Sequence, residues 1–252
     1  MPIYKITIKN KTEFIGNIKA NTLLGAFCHA CSLKYKSNNI EKYIRDVVFS
    51  DLFLDENYPI GISNNNTQYK KNNYLNLQKC EVTRTLIHRD NEENNVINVL
   101  TGTYSNHNFV FFIYSKELFD EIEINKIIEL MLKFGIGKWR NVGKGQFSLV
   151  NLENYTNQYI SNINNSKKLV ALSDFQTNNQ NEIKNIIEIG YTIRNARATN
   201  GTEQQQQLLL KTGTTFNNNM ENTNMILITS GNHIFDKNSR TYIHSKAILI
   251  GV

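Results

Sequence analysis

Cysteine is scarce in this chain, with Cys28 and Cys31 close together and Cys80 alone among 252 residues. That is too few for a disulfide framework and is expected of a reducing compartment. No stretch approaches the roughly 18 uninterrupted apolar residues of a membrane-spanning helix, and the opening Met1-Pro2-Ile3-Tyr4-Lys5 lacks the apolar core of a secretion signal. A soluble, cytoplasmic protein with no membrane partner is expected. Metal ligands are also short. Cys28-His29-Ala30-Cys31 offers one pair where a structural zinc site needs four ligands, and only Cys80 is left over. The pair reads as small residues buried on a helix. Asp51, Asp55 and Glu56 have no companion at useful spacing and read as a solvated loop. Neither metal nor cofactor is expected.

What the chain does have is a cationic excess, 28 Lys and Arg against 22 Asp and Glu, giving a formal charge of +6 and a pI near 9.1. Such a surface favours a polyanion over an acidic-protein or cation ligand. Tyr4, Ile6 and Ile8 alternate with polar residues and predict an N-terminal strand. Asn21 and Thr22 can cap a helix from Leu23 to Tyr35 with one apolar face. Ser63 to Asn76 is Asn- and Lys-rich and predicts a long, mobile polar insertion. Strands are predicted at Cys80 to His88 and, as a central strand, at Asn108 to Tyr114. Asn125 can cap a helix ending at Phe134, stopped by Gly135, and a short, imperfectly alternating strand follows from Gln146 to Leu152.

This first half runs β, α, β, β, α, β, the order of a ferredoxin-like domain. A polar stretch from Asn151 to Lys167 marks the domain boundary, so residues 1–155 and 166–252 are expected as two units. In the second unit, strands are predicted at Lys168 to Leu172, Ile189 to Ile193, Leu208 to Lys211, Met225 to Thr229 and Tyr242 to Ile250. A helix is predicted at Asn181 to Ile187, and Arg194 and Arg197 sit on a basic loop, where they either contact RNA phosphates or are simple surface charge. The fold class expected is α+β, two ferredoxin-like units with long polar insertions.

Four glycines fall within eleven residues between Gly135 and Gly145, interleaved with Lys138, Trp139, Arg140, Asn141 and Lys144. Gly135, Gly137, Gly143 and Gly145 let the backbone take positive φ and approach a ligand closely, so that successive amides can face phosphate oxygens while the cations supply counter-charge. Trp139 either stacks on a base or ribose, or packs into the core. A nucleotide-phosphate loop is excluded. Five residues, not four, separate Gly137 from Gly143, Gly145 stands where a Mg²⁺-binding hydroxyl is needed, and the loop follows a helix instead of opening one.

The segment Gly-x-Gly-x-x-Arg-x-x-Gly-Lys-Gly-x-Phe, Gly135 to Phe147, resembles the glycine-rich signature of RAMP-superfamily CRISPR-Cas proteins. Asn21-Thr22-Leu23-Leu24-Gly25-Ala26-Phe27 and Phe49-Ser50-Asp51-Leu52-Phe53 are similar to the first helix and the following segment of the Csm-type member that caps the guide RNA. Arg84-Thr85, His88-Arg89 and Leu100-Thr101-Gly102 are similar to its basic strand-turn region, stretched here by Asp90 to Asn95. The resemblance implies two RAMP units and a non-catalytic subunit that grips the repeat-derived 5′ handle of a crRNA. It would contact the large polymerase-like subunit of a type III effector, the backbone RAMP subunits and, indirectly, target RNA.

The rival reading is a RAMP endoribonuclease that processes precursor crRNA, with His88 as the acid-base group beside Arg84 and Arg89. The preferred reading of His88 is a polar strand-end residue or a hydrogen-bond donor to RNA. His29 follows the helix stripe and faces solvent or a partner. A third reading is a protein scaffold whose basic loop meets an acidic partner.

Overall fold

The computed structural model of the chain describes residues 2–36, 47–69, 78–86, 96–115, 119–138, 140, 143–194, 207–218, 229, 234–236 and 241–252. The fold is α+β, built on antiparallel sheets. Its first sheet contains β1 (Ile3–Asn10), β3 (Val47–Phe49), β4 (Phe53–Leu54), β9 (Phe109–Ser115) and β10 (Phe147–Asn154). The order is β10-β1-β9-β3, with β4 continuing alongside β9. Helices α1 (Ala20–Tyr35) and α2 (Glu121–Phe134) enclose one core between themselves and this sheet: Tyr4, Ile6 and Ile8 from β1 and Phe109, Phe111 and Ile113 from β9 meet Leu24, Phe27, Ile127 and Met131.

The near-continuous apolar run of β9 has a direct cause, since the strand is buried on both faces. Its alternate residues Val110, Phe112 and Tyr114 point away from α1 and α2 into a second core, together with Ile3 and Val48. Opposite them lie Leu169, Val170, Phe216 and Leu249, which belong to a second sheet of β11 (Lys168–Ala171), β12 (Ile186–Glu188), β15 (Thr215–Asn217) and β18 (Leu249–Gly251). Its order, β12-β15-β11-β18, repeats the first: the last strand lies beside the first, then come the third and the second. The two halves therefore share a core. The polar stretch expected as a boundary lies between the last strand of the first sheet and the first strand of the second, and holds the end of β10 and a helix, α3 (Thr156–Asn164), whose Tyr159 and Ile163 are buried in that core.

Two hairpins project from this body: β7 (Gln78–Leu86) with β8 (Val96–Tyr104), the latter also pairing β2 (Phe14–Ile15), and β13 (Tyr191–Arg194) with β14 (Gln207–Leu210). A third, β5 (Pro59–Ser63) and β6 (Asn66–Tyr69), runs into the start of the segment expected as a mobile insertion, Ser63 to Asn76, its strands joined by Asn64 and Asn65 at φ 48° and 60°, while 70–76 lies outside the described residues. Two consecutive positive-φ residues make the turn that matches strand twist, a role asparagine tolerates. The predicted C-terminal strand is two pieces, β17 (Thr241–Ile243), paired with β16 (Ile234–Asp236), and β18, separated by buried His244 and Ser245. The second-half helix is the single turn-and-a-half α4 (Gln180–Lys184), and Met225 to 228 lies outside the described residues. Among the described residues, no helix is long and apolar enough to cross a membrane.

Candidate nucleic-acid interface

The glycine-rich loop connects α2 to β10. Helix α2 is capped by Asp120, whose carboxylate accepts from the Glu123 amide, not by Asn125 as its sequence suggested, and Gly135 ends it at φ 80°. All four loop glycines have positive φ, Gly137 at 95°, Gly143 at 81° and Gly145 at 67°. The two ends are locked. Ile136 N–H donates to Gly145 O at 2.8 Å, and Gly145 N–H donates to Glu13 O at 2.8 Å. A Cβ on Gly145 would stand 2.1 Å from Ile136 O. Gln146 N–H donates to Thr12 Oγ1 at 3.0 Å, and Lys11 N–H to Gln146 O at 2.8 Å. By contrast, a Cβ on Gly137 or Gly143 would meet open space.

This geometry corrects one expectation. The amides of Gly135, Ile136, Gly143 and Gly145 donate to the carbonyls of Leu132, Gly145, Arg140 and Glu13. The positive φ values bring the ends of the loop together, and those four amides are taken up by backbone carbonyls, one of them on Glu13 outside the loop. Side chains carry the outward chemistry. Lys138 and Arg140 are exposed at the tip. Lys144 is half-buried and ion-paired with Glu13, whose carboxyl the Lys144 hydrogen bond holds below its ordinary value. Lys9 and Lys11 are exposed as well, Lys9 paired with Ser148 on β10 and Lys11 bonded through its amide to Gln146 O just after the loop. Sequence reasoning did not single out either, because this backbone proximity arises only when β1 pairs β10. His29 packs its ring edge-on at 5.6 Å from Phe134, the last residue before the loop.

Behind the loop, Phe14 follows Glu13 and packs with its ring tilted at 39° and 5.6 Å from that of Phe147. It opens a cavity of about 150 Å³ lined by Phe14, Asn17, Lys19, Asp51, Tyr69 and Phe109, among others. Asp51 is no solvated loop residue. Buried, it accepts from Lys19 Nζ at 2.7 Å and from the Ala20 amide at 2.8 Å, and its Oδ2 lies 2.7 Å from the Thr212 hydroxyl. That hydroxyl also lies 2.8 Å from Asp174. Burial lowers the Lys19 pKa, but the charges of Asp51 and Asp174 outweigh it and hold the ammonium above the ordinary lysine value. The cap of α1 thus comes from Asp51, 31 residues away, so that Lys19 is the N-cap residue and Asn21 and Thr22 lie inside the first turn.

Asn21 accepts from the His244 amide at 3.1 Å, and His244 Nε2 accepts from the Phe49 amide at 3.0 Å, which ties α1 to both halves. Of the other predicted residues, Arg84 lies in β7, paired across from Asn98, and Arg194 ends β13 opposite Gln207. Trp139, Asn141, His88, Arg89 and Arg197 lie outside the described residues. Cys28 and Cys31 sit on α1, where burial pushes the Cys31 thiol up to about 12 and raises that of Cys28 as well. Among the described residues, no cluster of His, Cys, Asp and Glu could hold a metal.

No protein-family model and no curated protein matches the sequence. Solved structures do. A chain of the Csm3-Csm4 subcomplex of the type III-A CRISPR-Cas interference complex superposes with a TM-score of 0.64 at 14% identity, covering 100% of this chain and 99% of that one. A chain of the Csm1-Csm4 cassette in complex with AMPPNP gives 0.56 at 12%, covering 100% and 98%. One from the type III-B Cmr-beta complex bound to cognate target RNA and AMPPnP gives 0.53 at 8%, covering 86% of each. The chain shares its fold with subunits of type III CRISPR effector complexes.

Proposed function

We propose that this chain is a non-catalytic, crRNA-binding RAMP subunit of a type III CRISPR effector. In this reading it grips the repeat-derived 5′ handle and joins the large polymerase-like subunit to the backbone subunits. The strand order common to both sheets supports two ferredoxin-like units. The observation that carries the RNA reading is the loop between α2 and β10, locked at its base and carrying exposed Lys138 and Arg140. A rigid mount holds cations at fixed spacing, so less ordering entropy is lost when they engage phosphates. Splayed handle bases then supply sequence recognition.

The test is a binding and cleavage assay with a radiolabelled RNA carrying the repeat-derived handle. Nanomolar to micromolar binding without cleavage is expected, weakened in Lys138→Ala and Arg140→Ala. RNA cleavage that His88→Ala abolishes would establish the endoribonuclease instead. Wild-type affinity in both loop variants would leave only the protein-scaffold reading.

A further inference from the structure

Strand β10 is an edge strand. It stands at the end of the order β10-β1-β9-β3, and among the described residues no strand pairs with its outer side. Its free backbone groups follow from the register. Tyr155 N–H donates to Ile3 O and Lys11 N–H to Gln146 O, so the alternation of an antiparallel ladder turns Ser148, Asn151 and Glu153 towards β1. The amides and carbonyls of Leu149, Leu152 and Asn154 then point outward. An open edge recruits another strand unless it is blunted, commonly by lysine or by a bulge. β10 contains no lysine, and its bulged residue is the apolar Val150.

Along this edge β10 and α2 line a groove. Its apolar lining is Leu149 and Leu152, which pack against the core beneath the helices, with Ile122 and Val150, 67% and 53% exposed. Its charged lining is anionic throughout. Asp120, Glu121 and Glu129 are exposed, and none of the three is ion-paired among the described residues. The hydrogen bonds that Asp120 and Glu129 accept, from the Glu123 amide and the Asn125 side chain, leave both charges uncompensated. Lys126 and Lys133 of α2 do not line the groove, and the other carboxylates of these two elements are engaged elsewhere, Glu123 with Lys34 and Glu153 with Lys5.

On a chain of net charge +6 this flank is locally negative, so it repels a nucleic-acid backbone and attracts Lys or Arg. The open ladder selects an extended segment, the apolar lining selects aliphatic side chains on it, and the carboxylates select cations between them. A second copy does not supply this pattern through its own edge, because β10 brings Glu153 and no Lys or Arg.

We propose that the outer edge of β10 and the adjoining flank of α2 bind an extended segment of a partner protein in which aliphatic residues alternate with Lys or Arg, taken up as an added strand of the first sheet. The site is independent of the RNA reading, which concerns other residues. The probe is an acetylated, amidated peptide of alternating Val and Lys matched in length to β10, titrated against the full chain at low salt. Its controls are the Val-Glu counterpart and a Val-Lys peptide N-methylated at every residue, which keeps the charges and removes the donors. The Val-Lys peptide is expected to bind about tenfold more tightly than either control. It should slow amide exchange at Leu149, Leu152 and Asn154 more than at Asn151 and Glu153, whose amides already bond to β1. Glu121→Lys/Glu129→Lys is expected to reverse the preference, weakening the Val-Lys peptide about tenfold and binding the Val-Glu peptide better than the wild type does, a gain that requires a folded chain. The proposal is overturned if the Val-Lys peptide does not bind, if the N-methylated peptide binds as well, if protection falls elsewhere, or if the charge preference does not reverse. Protection of the same amides by an RNA, or by concentration-dependent self-association, would overturn it too.

Discussion

Gly145 and Gly143 sit two residues apart in one loop and should respond differently to the same substitution. Alanine at 145 combines positive φ with a Cβ 2.1 Å from Ile136 O, and is expected to cost about 3 kcal/mol through strain and backbone displacement. At 143 only the φ penalty applies, about 1 kcal/mol, because a Cβ there meets open space. Denaturant unfolding of the two variants measures the difference. Asp51→Ala strands the buried Ala20 amide and the Lys19 ammonium together, for an expected loss of about 3 kcal/mol or more by the same measurement.

The Glu13–Lys144 pair gives the loop a pH dependence. Because the Glu13 carboxyl is depressed below its ordinary 4.5, its stabilisation is present above that value and is lost as pH falls through the lower folded value. The protection of the loop-base amides, taken relative to the intrinsic exchange rate at each pH, should therefore fall below about pH 4.5 in the wild type, and the fall should be smaller in Glu13→Gln. None of these partnerships was legible in the sequence. Asp51 serves Ala20 from 31 positions away and Glu13 serves Lys144 from 131, separations at which no local pattern exists.

At the scale of elements, the apolar periods of β1, α1, α2 and β9 were legible because burial on a face imposes a period on the sequence, and β9 betrayed its central position by being apolar on both faces. Starts were not, since caps are chosen by geometry. Asp120, not Asn125, caps α2, and Asp120→Ala is expected to cost about 1 kcal/mol while Asn125→Ala changes stability little, as thermal unfolding would show. The imperfect alternation of β10 has a structural origin. Thr7 pairs with Asn151 and Ile8 with Leu149, leaving Val150 as a bulged residue, 53% exposed. The bulge lets Leu149 and Leu152 both face the helices although they are three apart. Strand β8 was touched only by the likeness of Leu100-Thr101-Gly102 to a strand-turn region, and β6 was hidden by the polarity of its Asn-rich surroundings.

The whole molecule behaves as two sheets around a common core, which the sequence pattern did not reveal because polarity between Asn151 and Lys167 looks the same in a linker as on the solvent side of α3. A fragment of residues 1–155 would expose Ile3, Val48, Val110, Phe112 and Tyr114 to water. It is expected to bind a hydrophobic dye and aggregate where the full chain does not, while the full chain unfolds in one cooperative transition. The chain shares its fold with subunits of type III CRISPR effector complexes, and the RNA role proposed above is most directly tested at the loop. The measurement is the salt dependence of handle-RNA affinity for the wild type and for Lys138→Ala/Arg140→Ala. If the tip cations neutralise phosphates, the slope of log affinity against log salt should flatten by about 0.7 per contact, about 1.4 for the pair, with the fold unchanged. An unchanged slope and affinity in the double variant would contradict the account.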